Sequence, residues 1–176
     1  MARSHETHKG KFTLLVMTLT LVFSTTSLPV VAFEGILSGG IMMHGGDTRG
    51  YLYAHMLVGR SFMVGLEFNP REYSIAALMG QTSGYYGKFG WNSDGSATPK
   101  YTDLGIWGRT SLTDTFTVTG SAGVNRTTAL GKYDLKLAAE MIAPIGDYVY
   151  FIGGAETGIV TSPDSTKGWL GIGLAF

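Results

Sequence analysis

The chain has 176 residues, 26 glycines, no cysteine, and 13 basic against 13 acidic residues, for a formal charge of zero. That length supports one domain. With 15% charged residues there is no basic stripe of the kind nucleic-acid binding needs, and the missing cysteines exclude disulfide staples, thiol catalysis and a cysteine-borne lipid anchor. A hydrophobic content of 44% turns the glycine- and aromatic-rich composition away from disorder and toward a β protein with tight turns.

Residues 1–11 carry Arg3, Lys9 and Lys11, an apolar run follows over 12–23, and a zone of small residues ends at Ala32. This order predicts a secretory signal peptide, residues 1–32, with 33–176 as the mature domain. The apolar run is too short for a spanning helix, which needs about 20 residues. Removing the segment takes away three basic residues and Glu6, leaving a slight acidic excess.

Beyond residue 32, period-two alternation recurs between turn-forming clusters. In the stretch 33–44, Leu37, Ile41 and Met43 share one face, opposite Ser38, Met42 and His44. Residues 45–49 (GGDTR) read as a turn. Leu52, Ala54, Met56 and Val58 then alternate with Tyr51, Tyr53 and His55, and the same parity resumes past Arg60 with Phe62, Val64, Leu66 and Phe68. Residues 69–72 (NPRE) form a turn, since proline cannot donate to a central ladder. Tyr73, Ile75, Ala77 and Met79 are continued in parity by Tyr85, Phe89 and Trp91. A loop over 92–100 (NSDGSATPK) leads to Leu104 and Ile106, opposite Asp103, Trp107 and Arg109. Three further alternating segments follow, separated by turns at 111–114 and 144–147. After a loop over 161–167 (TSPDSTK), Leu170, Ile172, Leu174 and Phe176 present a greasy face against Gly171 and Gly173.

Reading 50–68 and 73–91 as two long strands gives eight strands. Splitting them at Arg60 and near Thr82 gives ten, the alternative. Both counts are even, as a closed up-and-down barrel requires. Eight is the expectation, because ten leaves several strands short of the ~9–11 residues that a tilted membrane strand needs. The polar faces are rich in Gly, Ser and Thr, which suits a narrow interior better than a solvated exterior. Aromatic residues (Phe68, Tyr73, Phe89, Trp91, Phe116, Tyr133, Phe176) fall near strand ends on the greasy face, as in interfacial girdles. Both features predict lipid outside and polar groups inside.

The signal segment, the alternating strands, and a last strand carrying Leu170, Ile172, Leu174 and the terminal Phe176 resemble the small outer-membrane barrels of Gram-negative bacteria, the OmpA- and OmpX-type class. The resemblance implies an eight-stranded barrel in the outer membrane, contact with outer-membrane lipid and lipopolysaccharide, and a terminal strand read by the β-barrel assembly machinery. Counting back from a periplasmic C-terminus puts the turns near 69–72, 110–114 and 143–147 on the periplasmic side. The loops near 45–49, 92–100, 126–131 and 162–167 then lie outside.

By parity the lumen receives Glu67, Asp103, Arg109, Lys132, Asp134, Lys136, Glu140 and Glu156, with Trp107 and Trp169. Mixed charges in a narrow interior must pair, which predicts a plugged lumen and a structural or surface-interaction role. A narrow channel for small solutes is one alternative. Another is lipid A acyl chemistry, hydrolase or acyltransferase, needing a rim His near an acid and a serine; His44, Asp47, Ser93, Ser96 and the pair Asp164 and Ser165 are the only candidates, and no catalytic role is assigned. His44 and His55 with Met42 and Met63 fit no compact metal motif, and no cofactor is expected. Tyr85, Tyr86, Phe89 and Trp91 are candidates for an exposed adhesive hairpin edge.

Overall fold

The computed structural model describes residues 35–58, 61–113, 115–128, 131–160 and 166–176; the expected signal peptide lies outside them. The described residues form ten strands: β1 (Gly35–His44), β2 (Asp47–Val58), β3 (Phe62–Asn69), β4 (Glu72–Gly80), β5 (Ser83–Asn92), β6 (Tyr101–Thr113), β7 (Phe116–Thr127), β8 (Lys132–Pro144), β9 (Val149–Gly158) and β10 (Lys167–Ala175). Each pairs antiparallel with its sequence neighbours, and β10 pairs with β1, closing the sheet. No helix among the described residues is long and apolar enough to cross a membrane, and crossing by strands needs none.

The expected eight strands are therefore corrected to ten, the alternative count. The reason lies in the register of two hairpins. Val58 pairs with Phe62, and Gly80 with Gly84. In both, the paired positions have the same parity, so the apolar face continues in phase straight through the turn. A period-two pattern cannot distinguish such a hairpin from an unbroken strand. The length argument for eight also fails, because only β3 is as short as eight residues and β6 and β8 reach 13.

Two added turns move one loop. The 70–71 turn now lies at the same end as the long loop between β5 and β6, where Ser93 Oγ donates to the Pro70 carbonyl and Lys100 pairs with Glu72. It is not at the end that holds the C-terminus, which instead receives the turns after Val58 and Gly80. Asn69 shapes the 70–71 turn by accepting from the backbone N–H groups of Arg71 and Glu72. The first hairpin is tighter than expected. Gly45 and Gly46, at φ +59° and +83°, make a two-residue turn of the kind whose twist matches the flanking strands. Asp47, Thr48 and Arg49 belong to β2.

Closure is completed at the termini. Phe176 and Gly35 exchange backbone hydrogen bonds of 2.9 and 3.0 Å, so the seam has no open edge. With every strand paired on both sides, an adhesive edge at Tyr85, Tyr86, Phe89 and Trp91 is not available. Tyr85 lies near the turn at the C-terminal end of the barrel, and Tyr86 points inward.

The faces are inverted relative to a water-soluble barrel. Leu37, Leu52, Leu66, Ile75, Leu104, Val124, Leu170, Ile172 and Leu174 are all exposed on the outer surface. Outward aromatic rings mark both borders of this surface. Phe68, Tyr73, Phe89, Trp91 and Tyr133 lie toward the loop end, with Tyr73 and Trp91 stacked at 5.5 Å. Phe62, Tyr85, Phe116, Tyr148 and Phe176 lie toward the terminal end. The packed apolar core is inside the lumen at that terminal end, where Ile36, Ile142, Tyr150 and Ile152 meet, with Trp169 and Ala175 against them.

The chain lacks cysteine, so the strand count can be read by crosslinking. Met56 and Val64 are outward register partners on β2 and β3. Met56→Cys with Val64→Cys is expected to form an intramolecular disulfide on mild oxidation, seen as a mobility shift reversed by reductant. On an unbroken strand these positions would stand about 27 Å apart, and no bridge would form.

Candidate functional site

The lumen is where this barrel concentrates its chemistry, and its strongest feature is a chain of charges that spans several strands. Lys88 on β5 donates to Glu67 on β3 at 2.7 Å, and Lys136 on β8 donates to Glu156 on β9 at 2.6 Å. Lys167, the first residue of β10, stands between the two pairs, 3.6 Å from Glu67 and 3.9 Å from Glu156. The order is Lys88, Glu67, Lys167, Glu156, Lys136. Because β3 and β10 are separated by β1 and β2, the contact between Glu67 and Lys167 cuts across the interior rather than running along the wall. All five side chains are largely buried. Buried carboxylates and ammonium groups are tolerable only when paired in this way.

The remaining lumen groups lie around that chain. The Tyr86 hydroxyl donates to Asp103 at 2.9 Å. The Trp169 indole N–H donates to Glu140 at 3.1 Å, and the Trp107 indole N–H to the Met79 carbonyl at 3.1 Å. Arg109, Thr119 and Glu140 form one registered row across β6, β7 and β8, with the Arg109 Nε donating to Thr119. His55 lies deep on β2 beside Tyr53 in close contact, and its ring covers Gly65 of β3. The two indoles need room: a Cβ on Gly154 would collide with the Trp169 ring, so the glycines of the inner face make space for large inward side chains. A cavity of about 150 Å³ remains, lined among others by Tyr51, His55, Trp107, Arg109, Glu140 and Trp169.

Of the residues read as luminal from the sequence, the structure brings Glu67, Lys136 and Glu156 into the ion chain and sets Asp103, Arg109 and Glu140 beside it. Asp134 is inward and buried but turns to the rim, where it accepts from the Val160 backbone N–H at 2.8 Å. Lys132 does not join them; it begins β8 at the loop end and is exposed, because inward parity has no meaning once the strand passes the rim. Lys88 and Lys167 are the participants that sequence reasoning missed. Composition places Lys167 in the loop over 161–167, yet it shares parity with Trp169, Gly171 and Gly173, and that parity is the available signal. Lys88 likewise lies opposite Phe89 on the polar parity of its strand. The residues of the terminal strand read as an assembly signal, Leu170, Ile172, Leu174 and Phe176, all face outward.

At the loop-end rim, Asp47 is held by Arg49 at 2.8 Å and Arg71 at 3.0 Å. The Arg49 hydrogen bond, with the Arg71 charge beside it, holds the Asp47 carboxyl below its ordinary value. Asp47 is therefore engaged by arginines, although it is the register partner of His44. His44 and His55 lie at opposite ends of their strands and do not converge. Asp164 and Ser165 lie outside the described residues.

No family model matches the chain, and no curated protein is similar to it. Among solved structures it is similar to a chain from the de novo design of transmembrane β-barrels, at 9% identity and a TM-score of 0.47, covering 85% of this chain and all of that one. It is also similar to the KdgM porin (11% identity, TM-score 0.45, 80% of this chain and 99% of that one). The translocator domain of the autotransporter NalP from Neisseria meningitidis is similar at 11% identity and a TM-score of 0.43, over 97% of this chain and 98% of that one. These likenesses are too distant to carry a functional argument, and the barrel assignment stands on the strand pairing of this chain itself.

Removing the shared cation is the most direct perturbation of the lumen. Lys167→Gln leaves two buried carboxylates competing for fewer partners and is expected to lower stability by roughly 3–5 kcal/mol, read by reversible urea unfolding in detergent. Glu67→Gln combined with Lys167→Gln is expected to cost less than the sum of the single changes.

Proposed function

We propose that the chain is an outer-membrane β-barrel with a closed lumen, serving as a structural scaffold that presents its loop end to the cell exterior. The observation that carries this reading is the inversion of faces: an outer surface of large apolar side chains bordered by aromatic rings, enclosing an interior of paired charges. A closed barrel is one of only two structures that satisfy the backbone in lipid, and its aromatic borders suit headgroup depth. The closed lumen is supported by two obstructions, the ion chain through Lys167 and the apolar cluster of Ile36, Ile142, Tyr150 and Ile152. A signal peptide over 1–32 and recognition of the terminal strand by the assembly machinery complete the reading.

A narrow channel is the second reading, favoured by the residual cavity of about 150 Å³ with charges of both signs in its lining. Lipid A acyl chemistry has less support, because Asp47 is taken up by Arg49 and Arg71 and Ser93 by the Pro70 carbonyl. The role left to the loop end is contact with an extracellular partner, for which loops on a rigid frame are well placed.

Two measurements test the proposal. Refolded in detergent, the protein is expected to show β-type circular dichroism and heat-modifiable gel migration, while a stable water-soluble monomer without detergent would overturn it. Mass spectrometry of lipid A from cells with and without the protein is expected to show the same acyl count. A changed count that depends on His44 would replace the scaffold with an enzyme.

A further inference from the structure

The outward faces of the ten strands are apolar or neutral along their length with one exception. Arg126, near the loop end of β7, is the only charged side chain on the outer face of any described strand, and it is exposed. Its parity is that of Phe116, Val118, Ala122 and Val124. Two residues below it, Val124 forms an apolar row with Leu104 and Leu135. Arg126 thus stands one pleat, about 7 Å, above the greasy surface. A cation at hydrocarbon depth on a barrel exterior costs ~2–4 kcal/mol, falling to about 0–1 near the interface, so this position suits the headgroup layer.

Its neighbours fit an anion. Thr102 and Tyr133 are its register partners on β6 and β8, and the guanidinium lies 5.9 Å from the centroid of the Tyr133 ring, within cation–π range. Other rim cations are occupied: Arg49 and Arg71 hold Asp47, and Lys100 holds Glu72. Arg126 has no carboxylate partner among the described residues. A guanidinium presents a planar fork of N–H donors that matches a phosphate, and in the headgroup layer the phosphates belong to lipids.

We infer that Arg126, with Tyr133 and Thr102, forms a site on the barrel exterior for the phosphate of a lipid headgroup in the loop-end leaflet. The inference rests on the membrane-barrel reading and adds to it a specific lipid contact.

The test uses the full chain in detergent micelles containing either phosphatidic acid or diacylglycerol of the same acyl chains, with retained lipid measured by native mass spectrometry. The wild type is expected to retain phosphatidic acid in preference to diacylglycerol. Arg126→Gln is expected to weaken that retention about tenfold, the equivalent of ~1.4 kcal/mol, and Arg126→Lys less. Lys100→Gln, which changes the net charge equally at a cation already paired with Glu72, is expected to leave retention unchanged. Equal retention of the two lipids, or equal losses in Arg126→Gln and Lys100→Gln, would overturn the site. Inorganic phosphate that displaced the lipid at matched concentration would also overturn it, by assigning the contact to a free anion. Heat-modifiable migration of each variant separates the two levels: barrels that keep the shift but lose the preference remove only the site, whereas a soluble wild type without the shift removes the barrel as well.

Discussion

The pairing of charges across a narrow lumen is the constraint on which the rest of the structure depends. A closed ten-stranded sheet has no way to turn its inward side chains to bulk water, so each inward carboxylate must meet a cation or a hydrogen-bond donor. Lys167 answers that demand twice, reaching Glu67 on one side and Glu156 on the other. Its position at the start of β10 links the last strand to β3 across the interior, while the Phe176 and Gly35 hydrogen bonds link it to β1 along the seam. Around the chain, carboxylates and cations occur in equal number: Glu67, Asp103, Glu140 and Glu156 against Lys88, Arg109, Lys136 and Lys167. That balance keeps the interior near neutral and favours one arrangement of the strands, since a one-residue slip of any one of these strands would send its own charged groups to the outer face.

The same constraint explains why the glycines lie where they do. Large side chains project inward from some strands, and small residues opposite them leave the space. Trp169 lies over Gly154, and the Tyr86 ring over Gly105 and Gly123. The interior is filled by this interdigitation at mid-height, by ion pairs toward the loops, and by isoleucines with Tyr150 toward the termini. The outside, with its leucines, valines and aromatic borders, carries the affinity for lipid. On the membrane reading proposed above, the two faces divide the work: the exterior drives insertion, and the interior favours one closed arrangement.

Much of the fold was legible from the sequence, because side-chain period in a barrel maps directly onto inside and outside. The outward faces of Leu37 and Ile41, Leu52 to Val58, Phe116 to Val124 and Leu170 to Phe176 follow from parity alone. The strand number was not legible from the same signal. Hairpins that pair Val58 with Phe62 and Gly80 with Gly84 preserve parity, so neither leaves a break in the pattern. The lumen was legible in part: Glu67, Lys136 and Glu156 were found by parity, but their partners Lys88 and Lys167 were hidden. Lys167 sits at the end of a loop-like run, TSPDSTK, where composition outweighed parity. Lys132 erred the opposite way, since parity was carried past the rim into solvent. The apolar cluster of Ile36, Ile142 and Ile152 was invisible for a different reason, because apolar residues on the polar face interrupt alternation and so read as noise.

Whether paired charges and packed isoleucines close the lumen is the central claim, and ionic current reads it directly. The protein reconstituted into planar bilayers in molar potassium chloride is expected to give no steady conductance above the bare membrane. A stable, single-level conductance that scales with salt concentration would contradict the closed lumen and make the interior a channel.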